Sequence, residues 1–233
     1  MIAVLRSIEK HAELNELQRR LTENQTEAGR ITHAGVDFGP CVLISREAAS
    51  GGGSIAKLVG ERLAWHVYDS EIVDEIARKA HVRKRLAESV DEHMQSAWAR
   101  IWRETIPMGE MVDQDYVRYL KQVLTALGHL GHVVLVGRGA SFLLPTRCAV
   151  RVRVVAPFEA RCLRLAQTEG CTADEAGLKI RKIDASRASY AKTVFRKDIA
   201  APENYDLVVN TAELSMAAAA TVIAAAVHQK IGV

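Results

Sequence analysis

From Ser45 to Ser54 the chain reads Ser-Arg-Glu-Ala-Ala-Ser-Gly-Gly-Gly-Ser, between a β-branched run and a segment of helical periodicity. A glycine-rich turn entering a helix lets backbone N–H groups converge on an anion, and the helix N-terminus adds partial positive charge. Phosphate is the ligand that suits such a turn. A flexible turn alone needs only positive φ, which is less than three consecutive glycines followed by Ser54, a residue suited to capping a helix. A regular phosphate loop of the form G-x-x-x-x-G-K-[ST] uses its lysine to neutralise phosphates. Here Gly52 occupies the lysine position. The nearest cation is Arg46, whose guanidinium suits bidentate contact with phosphate oxygens, whereas Lys57 is expected to point its stem away.

The elements that must hold this turn follow from the apolar pattern. Short β-branched runs at Cys41–Ile44, His66–Tyr68, His132–Val136, Val150–Val155 and Asp206–Asn210 predict strands, separated by helical segments. That alternation predicts an α/β domain with a mostly parallel sheet and right-handed crossovers. Ile55, Leu58, Val59 and Leu63 form the stripe of the first helix, and Phe158–Gln167 and Leu214–Gln229 read similarly. The alanine-rich Ala217–Ala226 predicts a closely packed C-terminal helix. The charge-rich interval of about 70–131, with Trp98 and Trp102 four residues apart, predicts helices capping the sheet's C-terminal edge. Its basic run, Arg78 to Arg85, reads as a solvated face or a substrate attractor. Residues 1–39 predict an amphipathic helical arm followed by a polar linker, and 40–233 the main domain.

Composition narrows the function classes. The 233 residues are 48% apolar and carry a formal charge of +3, an ordinary globular make-up without the basic stripe that nucleic acid demands. No apolar stretch approaches a membrane span, and no export signal opens the chain, so a cytoplasmic protein is expected. Cys41, Cys148, Cys162 and Cys171 contain no C-x-x-C pair and read as reduced, mostly buried thiols. The eight histidines form no metal-ligand pattern. Arg151, Arg153, Arg161 and Arg164, on and after the fourth strand, read as solvated, and Asn204 and Tyr205 as fixing a turn.

Several motifs in order resemble the cytidylate kinase-like family of P-loop nucleoside monophosphate kinases: Ile44-Ser45-Arg46-Glu47 through Ser50-Gly51-Gly52, Tyr68-Asp69, Val136-Gly137-Arg138-Gly139, and Pro202 to Leu207 with Asn210-Thr211. The spacing of Asp184, Arg187 and Tyr190 fits as well, and the resemblance runs from Val42 to the C-terminus. It implies a P-loop NTPase-type three-layer α/β/α fold with a five-stranded parallel sheet, a helical cap insertion and an extra N-terminal helix. It also implies ATP and Mg2+: Ser50, Gly51, Gly52, Gly53 and Ser54 around the donor phosphates, with the Ser54 hydroxyl toward the nucleotide's Mg2+. Arg46, Arg138 and Arg181 become the candidate catalytic cations, Arg181 and Lys182 lying where the family's lid carries its arginines. Asp69, Arg138, Asp184 and Arg187 become the candidate substrate contacts, with Asp69 equally placed to cap the helix starting at Ser70. True cytidylate kinases carry Gly-Arg-Asp where this chain has Gly137-Arg138-Gly139, so a base-reading carboxylate is replaced by Gly139.

Phosphoryl transfer needs alignment and charge neutralisation more than covalent chemistry. Three expectations follow: an ATP-dependent kinase of a nucleoside monophosphate such as CMP or dCMP, a nucleotide-binding sensor or regulator with weak catalysis, or a kinase of another small acceptor. A small-molecule nucleotide partner is expected rather than nucleic acid or membrane, with homo-oligomer formation through the N-terminal helix.

Overall fold

The computed structural model describes residues 38–71, 73 and 114–233. Its elements are β1 (Cys41–Arg46), α1 (Gly52–Leu63), β2 (His66–Tyr68), α2 (Gln114–Leu130), β3 (Val133–Val136), α3 (Ala140–Leu143) and β4 (Ala149–Val155). They continue with α4 (Phe158–Glu169), α5 (Ala173–Phe195), β5 (Leu207–Asn210) and α6 (Met216–Ile231). All five expected strands form, each end within two residues of the expectation. The sheet has the order β2-β3-β1-β4-β5 and every neighbouring pair is parallel.

Alternation along the strands sends consecutive side chains to opposite faces. Val42 and Ile44, with Val134, Val136, Val150, Val152 and Val154, pack against Ile55, Val59, Ile223 and Val227 of α1 and α6. Cys41, Leu43, Val133, Leu135 and Ala149 pack against Leu120, Leu124 and Leu127 of α2, with Tyr190 of α5 alongside. Both faces are covered, which is why the strands read as continuous apolar runs. The result is the expected three-layer α/β/α fold. The alanine-rich tract is indeed a closely packed helix, with Ala219, Ala220 and Ala224 buried.

Helix ends follow local chemistry. Thr172 and Glu175 form a reciprocal capping box at the start of α5, and the Ser215 hydroxyl accepts the Ala218 N–H at α6. Ser54 does not cap α1 as expected: the helix begins at Gly52 with Gly51 as its N-cap residue, because only glycine adopts φ 86° there without strain. At the sheet's N-terminal edge, Asp206 accepts Arg151 Nη2 at 3.1 Å and Lys230 Nζ at 2.8 Å, and Lys230 also reaches the Ala149 carbonyl at 2.9 Å. This ties β4, β5 and the end of α6 together.

The last helix of the 70–131 interval, α2, lies against the sheet face rather than over its edge. The remainder of that interval, including Trp98, Trp102 and the Arg78–Arg85 run, lies outside the described residues, as do residues 1–37 with the expected N-terminal helix. The cysteines are all unbridged, Cys41 and Cys162 buried and the other two half-buried. Burial pushes the Cys41 thiol up to about 12. No helix among the described residues is long and apolar enough to cross a membrane.

Candidate functional site

The loop after β1 is held from below by its own backbone. Glu47 donates its N–H to the Val154 carbonyl at 3.0 Å, and the fully buried Ser50 hydroxyl donates to the Glu47 carbonyl at 2.9 Å. Thr211, after β5, donates its hydroxyl to the Ser50 carbonyl at 2.8 Å. The chain then turns through Gly51, where a Cβ would fall on the Met216 side chain. No side chain caps α1, and its first internal bond is Ile55 N–H to the Gly51 carbonyl at 3.0 Å. The N–H groups of Gly52, Gly53 and Ser54 therefore project beyond the helix end. Gly53 and Ser54 are exposed, and nothing lies within 4 Å of the position a Gly53 Cβ would take. An uncapped helix end with open space before it can take an anion, and the Ser54 hydroxyl sits on the same exposed turn.

Arg161 and Arg164 are the residues that sequence reasoning missed. Neither is solvated. Arg161, 7% exposed, donates Nε to the Ala156 carbonyl at 3.0 Å and Nη1 to the Ala48 carbonyl at 3.3 Å. Arg164 donates Nη1 to the Ala49 carbonyl at 2.8 Å and Nη2 to the Thr211 carbonyl at 3.3 Å. Their three-residue spacing on α4 put both on one helix face, the only signal available in the sequence. Asp184 completes this support: one carboxylate oxygen accepts the Ala48 N–H at 2.8 Å and the other meets Arg161 Nη1 at 2.5 Å. Asp184 thus lies under the loop.

Arg46 starts beside the loop and leaves it. Its stem crosses Gly52, where a Cβ would come within 2.6 Å of the Arg46 Cβ. Its guanidinium lies against Gly137 after β3 and donates Nη2 to the Ser70 hydroxyl at 3.1 Å. Arg187 donates Nη1 to the Arg46 carbonyl at 3.0 Å. Arg138 follows Gly137 in the left-handed region at φ 51°. Arg153, expected to be solvated, is 7% exposed and donates Nη1 to the Ser45 hydroxyl at 2.8 Å, because β4 runs beside β1 in the sheet centre. Its buried Nε has no hydrogen-bond partner among the described residues.

These cations feel one another. Burial first, then Arg187 and Arg138, lower Arg46 from its usual value to about 10, with Asp69 opposing them. Arg187 is lowered mainly by burial, against the pull of Asp184. Asp69 caps the next helix, one of its two expected readings: its carboxylate accepts the Glu71 N–H at 3.0 Å, and its charge also opposes the lowering of Arg46. Arg181 stands apart, exposed, with Cζ 4.6 Å over the Phe158 ring.

Aromatic rings pack around Gly139, the residue after Arg138. Phe195, at the end of α5, covers Gly139 so closely that a Cβ there would fall 2.0 Å from the ring. Phe142 and Tyr190 flank Phe195 at centroid distances of 5.7 and 5.9 Å. Tyr205 donates its hydroxyl to the Ile199 carbonyl at 2.8 Å, and Asn204 Nδ2 donates to the Asp198 carbonyl at 2.8 Å, so both fix the turn before β5 as expected.

The family model described as the cytidylate kinase-like family matches residues 41–213. An uncharacterized protein from Eubacterium ventriosum is 19% identical over 81% of this chain and 98% of its own, with a TM-score of 0.62. TT1252 from Thermus thermophilus is 17% identical over 82% of this chain and 97% of its own, at a TM-score of 0.45. Shikimate kinase from Acinetobacter baumannii is 15% identical over 82% of this chain and 94% of its own, at 0.43. Among curated proteins no match was found. With a family match that runs from β1 past β5 and an all-parallel sheet carrying a glycine turn at its central strand, this chain belongs to the cytidylate kinase-like family and is a kinase-like, nucleotide-binding protein.

Proposed function

We propose that this protein transfers the γ-phosphoryl group of ATP to a small phosphorylated acceptor, a nucleoside monophosphate of the CMP or dCMP type being the first to test. The observation that carries this reading is the juxtaposition at β1: an uncapped glycine turn on one side of Arg46, and the Arg46, Arg138 and Arg187 group on the other. Ser50 to Ser54 form the donor-phosphate cradle. Arg46 and Arg138 neutralise the transferring charge, and Arg187 with Asp69 orients the acceptor. Arg181 joins the catalytic set only if α5 moves, since its guanidinium rests on Phe158. Asp184 acts on the substrate through the loop it supports.

The residues fit a nucleotide-borne Mg2+, because Ser54 presents its hydroxyl on the exposed turn beside the open helix end. When bound, that ion supplies charge neutralisation between the donor phosphates. In this reading residues 40–233 form the catalytic domain, with a cap at about 70–131, and 1–39 an arm through which copies associate. The protein works in the cytoplasm on small molecules, without nucleic acid or membrane.

A second reading, a nucleotide-binding regulator with little catalysis, is favoured by Gly52 in the lysine position and by an Arg46 guanidinium directed to Gly137 rather than over the glycines. An ADP-release assay with ATP and Mg2+, screening CMP, dCMP, UMP, AMP and GMP, separates the two. Acceptor-dependent ADP release that disappears in Arg46→Ala is the expected result. ATP binding without release for any acceptor overturns the transferase reading in favour of the regulator.

A further inference from the structure

Ala49, two residues before Gly51, sits in the left-handed region at φ 58°, where its Cβ is strained. A non-glycine residue persists there only when its surroundings over-determine it. Side chains from α4, α5 and the end of β5 do so. Asp184 accepts the Ala48 N–H at 2.8 Å, Arg161 donates Nη1 to the Ala48 carbonyl at 3.3 Å, and the two side chains pair at 2.5 Å. Both polar groups of Ala48 are thus closed into one ring. Arg164, a turn further along α4, donates Nη1 to the Ala49 carbonyl at 2.8 Å, and the Thr211 hydroxyl donates to the Ser50 carbonyl at 2.8 Å. Three successive carbonyls therefore have side-chain partners from more than a hundred residues away. Arg161 Nε, bonded to the Ala156 carbonyl at 3.0 Å and 3.4 Å from Glu47, ties the whole group to the end of β4.

The bend at Ala49 leads the chain through Gly51 into α1, so it sets the direction of the Gly52, Gly53 and Ser54 N–H groups. A lysine can hold phosphate as a point charge even where the backbone drifts. With Gly52 in that position, affinity depends on how well the N–H groups are arranged beforehand. We propose that Arg161 and Asp184, with Arg164 and Thr211, form a clamp that holds Ala49 left-handed and thereby sets the affinity of the turn for the donor's phosphates. Asp184 is then a positioning residue of the donor loop, although it shares α5 with Arg187. The inference rests on the reading of Ser50 to Ser54 as the donor-phosphate cradle.

Glycine enters the left-handed region without steric cost, so a double-mutant cycle with Ala49→Gly separates the clamp from a general loss of structure. Calorimetric titration of the intact chain with Mg2+ and a non-hydrolysable ATP analogue should find Asp184→Asn binding about tenfold more weakly than wild type. In the Ala49→Gly background the same substitution should cost less than about threefold, because the bend no longer needs holding. Unchanged affinity in Asp184→Asn overturns the inference and leaves the cradle reading standing. An equal loss in both backgrounds also overturns it, since a merely structural ion pair would weaken the two alike. Should Asp184→Asn not fold, Thr211→Val, which removes the hydroxyl bonded to the Ser50 carbonyl, goes through the same cycle with the same criteria. No binding of the analogue by wild type overturns the cradle reading itself and the inference with it, so the two failures are told apart.

Discussion

At the N-terminal ends of β4 and β5, Asp206 receives both Arg151 and Lys230, so each cation there has a carboxylate partner. At the C-terminal ends of β1, β3 and β4, Arg46, Arg138, Arg153 and Arg187 gather, and the charges of Asp69 and Asp184 offset them only in part. The same sheet supports both ends, so the contrast lies in the loops and helix ends. For Asp206, burial pushes the carboxyl up but hydrogen bonds from Arg151 and Lys230 outweigh it, and the group is held below the usual carboxylate range. Its contribution is present above the unfolded carboxylate value and is lost as pH falls through the lower folded value. For Arg46 the folded value is depressed instead, to about 10. Protonation of the guanidinium therefore works against folding below that value, a cost that the charge of Asp69 offsets in part. One end ties neighbouring elements together, and the other keeps an excess of buried positive charge.

The sharpest break of this contrast is Arg46→Ala. Steady-state kinetics should show kcat/KM falling by about a thousandfold, since one cation is lost at the transferring charge. The melting temperature should hold or rise, because removing a crowded cation relieves its neighbours. A lower melting temperature with unchanged kcat/KM would mean that the cluster is structural. Arg161→Ala comes next, for it leaves Asp184 and the Ala48 and Ala156 carbonyls without their shared partner. Urea unfolding should register a loss of about 3 kcal/mol, the scale for breaking a buried ion pair, together with a raised KM for ATP as the loop loosens. Asp206→Asn should matter least, within about 1 kcal/mol near neutral pH for a partly exposed pair. Repeating the urea titration at falling pH should narrow the gap only below the usual carboxylate range, where the depressed Asp206 carboxylate takes up its proton; a gap that persists at the acid end would detach the stabilisation from its charge.

Much of this was legible before any coordinates. A β-branched run must bury both sides, so the strands could be bounded from Val42, Ile44, Val134 and Val152 alone. Three glycines between a strand and a helical stripe marked the turn into α1, and the ordered motifs from Ser45 to Thr211 named the family. Such features are local, set by backbone freedom and by periodicity along a few residues. The partners of the arginines were not legible. Arg153 and Arg161 look like any surface arginine in the sequence, yet one lies beside Ser45 and the other beneath Ala48, more than a hundred residues away along the chain. Nor did Arg46 reveal that its guanidinium runs to Gly137 and Ser70. The sequence by itself determined the layers, the strand positions and the place of the glycine turn, through hydrophobic period and glycine conformation. Only the tertiary structure decided which arginines support the loop and which gather beside Gly137, and that Phe195 fills the space at Gly139, because long flexible side chains take their direction from neighbours that the sheet order brings together.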